Sequence, residues 1–293
     1  MFDSQLLQHA DIHGHCASTR SAFFTTMRIA FNLLPHIEPL LNVHQNDSQQ
    51  PDNLCGPYWI SLLLKAYGGL HVSAVEVAIA ASTILPSQGN PTDWLPPNAS
   101  SLRGDNYTTI PTHADLSICG TSIQGLIHAT KTLSQGQFCL VPLQISSWQT
   151  GLSTILQLCQ TWQAIPLINP HTSYLWGTSL SPYTVLSYIQ AKPVSPPPTD
   201  WSVGHFNLLI GEVHRSRLYA ILDTYPQFGW QGLHLQPPAA VGQSLQRPHH
   251  STEGGLALFV REEQRSEIEQ VASQNGFSIS AWDNGSPAQG GQT

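Results

Sequence analysis

Apolar residues recur at helical spacing from Ser21 to Leu34, with Phe23, Phe24, Met27, Ala30, Phe31 and Leu34 on one face and Pro35 ending the run. The pattern predicts one helix within an N-terminal extension over residues 1–45. A polar loop from His44 to Asn53 follows. Cys55-Gly-Pro-Tyr-Trp-Ile-Ser-Leu-Leu-Leu-Lys-Ala-Tyr67 then reads as a helix closed by Gly68-Gly69. Pro57 is tolerated only in a first turn, which fixes the start of that helix near Cys55. Further helices are expected at about Ser73–Leu85, Thr121–Leu133, Gly151–Trp162 and Ser181–Ala191, with strands at Phe138–Ile145 and Ala164–Ile168. Pro86 to Asp115 is loop-rich, and four prolines between Pro193 and Pro198 make a stiff surface connection.

Beyond those prolines the period changes to that of strands. His205–Val213 and Leu218–Asp223 flank a polar His-Arg-Ser-Arg turn and predict a hairpin, followed by short strands at Leu233–Leu235 and Leu256–Val260. Arg261–Asn275 reads as a charged helix, and 281–293 as a disordered tail rich in Gly, Ser and Gln. Helices first and strands afterwards predict an α+β fold, with one main domain over 46–280.

Composition narrows the classes of function. The 293 residues carry 11 basic and 18 acidic side chains, a formal charge of −7, which argues against nucleic acid or an anionic membrane as partner. No apolar run approaches the ~18 residues of a membrane span. Met1–Ile12 has no basic residue and no long apolar run, unlike a secretory signal. Five cysteines with no Cys-x-x-Cys pair point to free thiols in a reducing, cytoplasmic setting. No phosphate-loop, dinucleotide, HExxH or EF-hand pattern is present, and no cofactor is expected.

Three segments carry the candidate chemistry. Cys55 lies at a helix N-terminus, where the partial positive charge lowers a thiol pKa and free N–H groups can face an oxyanion. Gln49 lies six residues upstream and offers a further donor, with Gln50 and Gln45 as competitors for that role. Gly204-His205-Phe-Asn-Leu-Leu-Ile-Gly211 starts an apolar strand with an imidazole, and Tyr219-Ala-Ile-Leu-Asp223 ends one with a carboxylate. A hairpin brings His205 and Asp223 to the same open end, but strict pairing misses by about three residues, so a bulge or diagonal contact is required. The roles that follow are Cys55 as nucleophile, His205 as general base and then acid, and Asp223 orienting the imidazole.

Gln49, Cys55-Gly56, Gly204-His205-Phe206 and Leu222-Asp223 together resemble papain-fold cysteine peptidases, most nearly the C39-like group whose relatives cut leader peptides. The resemblance covers Gln49–Gly69 and Ser202–Val260, and Glu253-Gly-Gly-Leu-Ala-Leu-Phe259 is similar to the closing strand of that fold. It implies a papain-like arrangement, with the nucleophile helix packed on an antiparallel sheet. It also implies a Cys55-His205-Asp223 triad with Gln49 at the oxyanion, and hydrolysis of a peptide or protein substrate through a thioester. Gly56, Trp201 and Gly204 are expected to line the substrate cleft, with Trp201 shielding the catalytic pair from water. Acyltransferase or transglutaminase-like chemistry and a non-catalytic peptide-binding module remain alternatives on the same fold.

Cys139 and Cys159 read as core filler. His13, His15 and Cys16, and the pair His249-His250, are adequate metal ligands by type but lack a clear fourth ligand. Surface histidines are the preferred reading, and no metal site is assigned.

Overall fold

A computed structural model of the protein describes residues 31–47, 49–103, 106–213 and 218–286. The helices are α1 (Glu38–Asn46), α2 (Cys55–Gly68), α3 (Ala74–Ala80), α4 (Asn106–Thr109), α5 (Ile123–Leu133), α6 (Trp148–Trp162), α7 (Pro182–Ile189), α8 (Pro238–Gln246) and α9 (Arg265–Gln274). The strands are β1 (Phe31–Leu33), β2 (Leu85–Pro86), β3 (Thr112–His113), β4 (Phe138–Gln144), β5 (Ile165–Ile168), β6 (Asn207–Val213), β7 (Leu218–Leu222), β8 (Leu233–Gln236), β9 (Leu256–Arg261) and β10 (Ser278–Ile279). Strands β10-β4-β9-β5-β6-β7-β8 form one sheet in that order, β1 adds to β6, and each pairing is antiparallel. A separate parallel pair, β2 with β3, braces the loop-rich stretch after α3. The fold is therefore mixed α/β around a mostly antiparallel sheet.

Helix α2 is buried from Gly56 to Leu64, which explains why its sequence is apolar nearly all round. Pro57 stands in its first turn, and Gly69 ends it with φ +63°, a left-handed conformation that glycine adopts without cost. The Trp59 indole donates to the Phe206 carbonyl at 3.0 Å, tying α2 to the segment that leads into β6. Residues of α2, α5, α6, β4–β7 and β9 share one apolar core. Cys139 and Cys159 are both buried within it, with their thiol pKa values raised by burial.

Hairpin β6–β7 is where register matters. Val213 pairs with Leu218 and Leu208 with Leu222, with a bulge between Leu209 and Gly211. The bulge supplies part of the slip that strict pairing lacked, so that the segment entering β6 meets the residue that follows β7. β5 and β1 share the other edge of β6. Gly211 admits β1: a Cβ there would lie 2.5 Å from the Asn32 carbonyl oxygen and 2.7 Å from the Leu33 Cα.

Several boundaries differ from those read along the chain. Phe31–Leu33, assigned above to a helix, is strand β1, because the backbone of β6 beyond the short β5 takes an edge partner. The remainder of that expected helix, 21–30, lies outside the described residues. The segment 31–45 is part of the folded body and not an extension: Leu34, Ile37 and Leu40 are buried in the main core. The expected helix Ser73–Leu85 is shorter, held at its start by a Ser73–Glu76 capping box and ended before Ser82, which takes φ +57°. Helix α8 went unpredicted because Pro237-Pro238 looks like a break, although proline suits a first helical turn. The expected disordered tail is ordered as far as it is described: Trp282 is buried, and the Asp283 and Glu253 backbones are joined. The hairpin turn 214–217 and 287–293 lie outside the described residues.

Candidate active site

Cys55 opens α2, where the first N–H groups have no intrahelical acceptor, and no N-cap side chain takes them up. The Phe206 N–H donates to Cys55 Sγ at 3.5 Å, which brings the sulfur to the residue next to His205, and the His205 imidazole lies near enough to act electrostatically on the thiol. His205 Nε2 donates to Asp223 Oδ1 at 3.2 Å, with the imidazole 3% and the carboxylate 2% exposed. With Nε2 committed to the carboxylate, the other ring nitrogen is left for the sulfur. The rest of the Asp223 carboxylate is also occupied: Tyr225 N–H donates to Oδ1 at 2.8 Å, and the Asn207 amide donates to Oδ2.

These contacts make one electrostatic unit. Burial opposes the charged form of each member, and mutual attraction overcomes it. Burial pushes the Cys55 thiol up, but the His205 charge, its hydrogen bond and the Phe206 and Gly56 N–H groups bring it below its ordinary value. Burial depresses His205, but the Asp223 and Cys55 charges raise it overall. Burial raises Asp223, but the His205 charge and the donated hydrogen bonds lower it overall. The arrangement favours a thiolate–imidazolium pair over two neutral groups.

The pair lies in a cleft of about 450 Å³, within the ~300–1,000 Å³ usual for small-ligand sites. Trp201 covers one side, its ring 4.8 Å from that of His205 at a steep angle, with its indole donating to the Trp94 carbonyl at 3.0 Å. Gly204 also lines the cleft. Gly56 does not: it is buried, and a Cβ there would meet Leu126 and Phe206 side chains at 2.9 and 3.1 Å. Its place is one of close packing beneath the nucleophile and not of contact with a ligand.

The two glutamines separate clearly. Gln49 donates its amide to the Ser100 carbonyl at 2.8 Å, away from the sulfur, and does not line the cleft. Gln50 is buried, lines the cleft, and donates Nε2 to the Tyr225 hydroxyl at 2.8 Å, with its Oε1 unpartnered. The structure thus sets Gln50, and not Gln49, in the cleft that Cys55 and His205 line. Asn207 and Tyr225 were missed in the sequence. Asn207 had a legible signal, since a residue two beyond His205 on an extended segment shares its face. Tyr225 had none, because its position depends on the chain path after β7.

Among the described residues no group of three or more His, Cys, Asp and Glu is placed to hold a metal ion. His250 packs against His171 with ring centroids 3.8 Å apart and the rings tilted by 30°, and His13, His15 and Cys16 lie outside the described residues. No described helix is long and apolar enough to cross a membrane. Residues 34–283 match the model of a family described as of unknown function, DUF6885. No curated protein matches the chain.

Proposed function

The chain belongs to DUF6885, a family of unknown function, and we propose that it is a cysteine hydrolase of papain-like architecture that cleaves an amide bond in a peptide through a thioester. The observation that carries the reading is that Cys55 and His205 line one cleft, with the His205 ring hydrogen-bonded in turn to the buried Asp223 carboxylate. Three unrelated segments converge to make it: a helix start, a strand entrance and a strand exit. Structural thiols such as Cys139 and Cys159 lack any such partner set and have raised pKa values.

The steps follow from the contacts. The Cys55 thiolate attacks the carbonyl carbon, and the electron pair moves to the carbonyl oxygen. The Cys55 N–H at the head of α2 and the Gln50 amide are the donors available to that oxyanion. The C–N bond breaks as the His205 imidazolium gives its proton to the leaving amine, which leaves a thioester. His205 then takes a proton from water, the hydroxide adds to the thioester carbonyl, and the acid departs as the thiolate reforms. Asp223 holds the ring and offsets its charge throughout. An amine in place of water gives acyl transfer by the same path. The free thiols of Cys55, Cys119, Cys139 and Cys159 fit a cytoplasmic setting.

The test is the iodoacetamide labelling rate of each cysteine against pH, read by mass spectrometry, with hydrolysis of a peptide library as a second readout. Cys55 is expected to label fastest and to keep its rate below the ordinary thiol range, while Cys119, whose thiol burial raises, loses it. His205→Ala is expected to move the Cys55 midpoint upward, because burial remains and the compensating charge is gone. Cys55→Ala is expected to abolish hydrolysis. Labelling of Cys55 no faster than Cys119 at neutral pH, or a Cys55→Ala variant as active as the parent, overturns the reading.

A further inference from the structure

Arg247 is the charged group that the proposed chemistry leaves unused. It ends α8 in a left-handed conformation, lines the same cleft, and is only 2% exposed. Its guanidinium is held by neutral oxygens: Nη1 donates to the Thr252 hydroxyl at 2.9 Å, and Nη2 to the Asn169 carbonyl at 2.8 Å and to the Asn169 side chain at 2.6 Å. Nε is buried without a partner. Among the described residues no carboxylate forms an ion pair with it.

A buried cation without a counter-charge is costly, and proteins normally pair it. Burial pulls its pKa down to about 10, so the group stays charged at neutral pH. The neighbouring imidazole of His171 gives no negative charge: burial first, then His250 and Arg247, hold it near pH 4, and it is neutral. The anchoring of Asn169 and Thr252 needs only donors and not a charge. The charge therefore has no use within the described protein, while the geometry puts it near the reacting groups. A Cβ on Gly204 would lie 3.5 Å from Arg247 Nη2, and Gly204 directly precedes His205. Glycine at that position keeps the space between the imidazole segment and the guanidinium open.

Resting on the cysteine-hydrolase reading above, we propose that Arg247 is the anion-recognition residue of the cleft, seating a substrate carboxylate close to the amide that Cys55 attacks. With both Nη2 hydrogens taken by Asn169, the guanidinium offers its fixed charge and the remaining Nη1 N–H, which suit a carboxylate as a single charge-assisted acceptor. The carboxylate is carried either as the free end of a peptide or as an acidic side chain. Arg247 is a binding residue here and takes no part in bond making.

The test is made on the Cys55→Ala variant, so that it does not depend on turnover. Binding of N-acetylated tripeptides is followed by tryptophan fluorescence, since Trp94 and Trp201 line the cleft. The set contains a free-acid peptide, its C-terminal amide, and amide-capped peptides with internal Glu or Gln. A peptide bearing a carboxylate is expected to bind about tenfold or more tighter than its neutral partner, the size of a charge-assisted hydrogen bond. Preference for the free acid over the amide assigns a chain end, and preference for Glu over Gln assigns a side chain. Arg247→Met is expected to erase the preference and Arg247→Lys to keep part of it. Should Arg247→Met not fold, Gly204→Ala, whose new methyl fills the approach, is expected to reduce the same preference. Equal affinity for charged and neutral peptides in the Cys55→Ala protein overturns the proposal, whatever the labelling of Cys55 shows. Flat Cys55 labelling with an intact carboxylate preference instead overturns only the catalytic reading.

Discussion

At the scale of single residues, the cleft is built by side chains that each satisfy a neighbour. His205 is raised and Cys55 lowered by the same contact, so the proton one gives up is the proton the other holds. Asn207 and the Tyr225 N–H fix the carboxylate that orients the ring. The oxyanion donor separates the neighbouring glutamines experimentally. Gln50→Ala is expected to lower kcat/KM by about 10²–10³, the usual cost of removing one oxyanion donor, with little change in Cys55 labelling. Gln49→Ala, which loses only a contact with the exposed Ser100 carbonyl, is expected to stay within about twofold of the parent. Steady-state kinetics on a good library substrate decides it, and the reverse order of effects removes Gln50 from the mechanism. Counting back from Cys55 pointed to Gln49. A count of residues does not say which of two adjacent side chains turns inward in an irregular loop, and here the hydrogen bond to Tyr225 decides it.

At the scale of elements, β6 connects the site to the frame. Its entrance carries His205 and Asn207, its middle bulges, and its far end is covered by β1. Helical periodicity predicted α2, α5, α6 and α7 well because each buries a face of its own. It failed at Phe31–Leu33, where pairing with an open strand edge outweighs local preference. That pairing depends on Gly211, where a methyl would collide with the β1 backbone. Gly211→Ala is expected to cost about 1–3 kcal/mol by chemical denaturation through displacement of β1. It is expected to leave Cys55 labelling near its parent rate, because the clash lies at the other end of β6. A stability within ~0.5 kcal/mol of the parent shows that β1 moves freely and does not brace the strand.

At the scale of the whole molecule, buried imidazoles set the response to acid. His234 is fully enclosed between Phe228, Gln236 and the Gly177 carbonyl, and burial pulls its pKa from 6.5 to about 4. The unfolded chain therefore binds a proton that the folded chain refuses, and stability falls as pH drops from about 6.5 to about 4. The His234 share is about 3 kcal/mol across that window. Asp223 shifts in the same direction: its contribution is present above the ordinary aspartate value and is lost only at more acidic pH, below the His234 window. Urea denaturation at pH 7 and pH 4.5 is expected to show the loss, and His234→Gln to reduce it. Equal losses in the parent and the variant assign the acid response to other groups.

From the linear sequence alone come the nucleophile helix with its proline in the first turn, the imidazole before one apolar strand and the carboxylate after the next, and a charge balance unsuited to polyanions. These follow from local rules: capping, period and sign of charge act over a few residues and leave a mark in the letters. The tertiary structure alone decided which glutamine lines the cleft, that 31–45 belongs to the body, that a bulge in β6 takes up part of the offset between His205 and Asp223, and that Arg247 lies buried in the same cleft without a carboxylate. Each depends on surfaces distant in the chain meeting, and the free energy of such a meeting depends on both partners and is written in neither segment by itself.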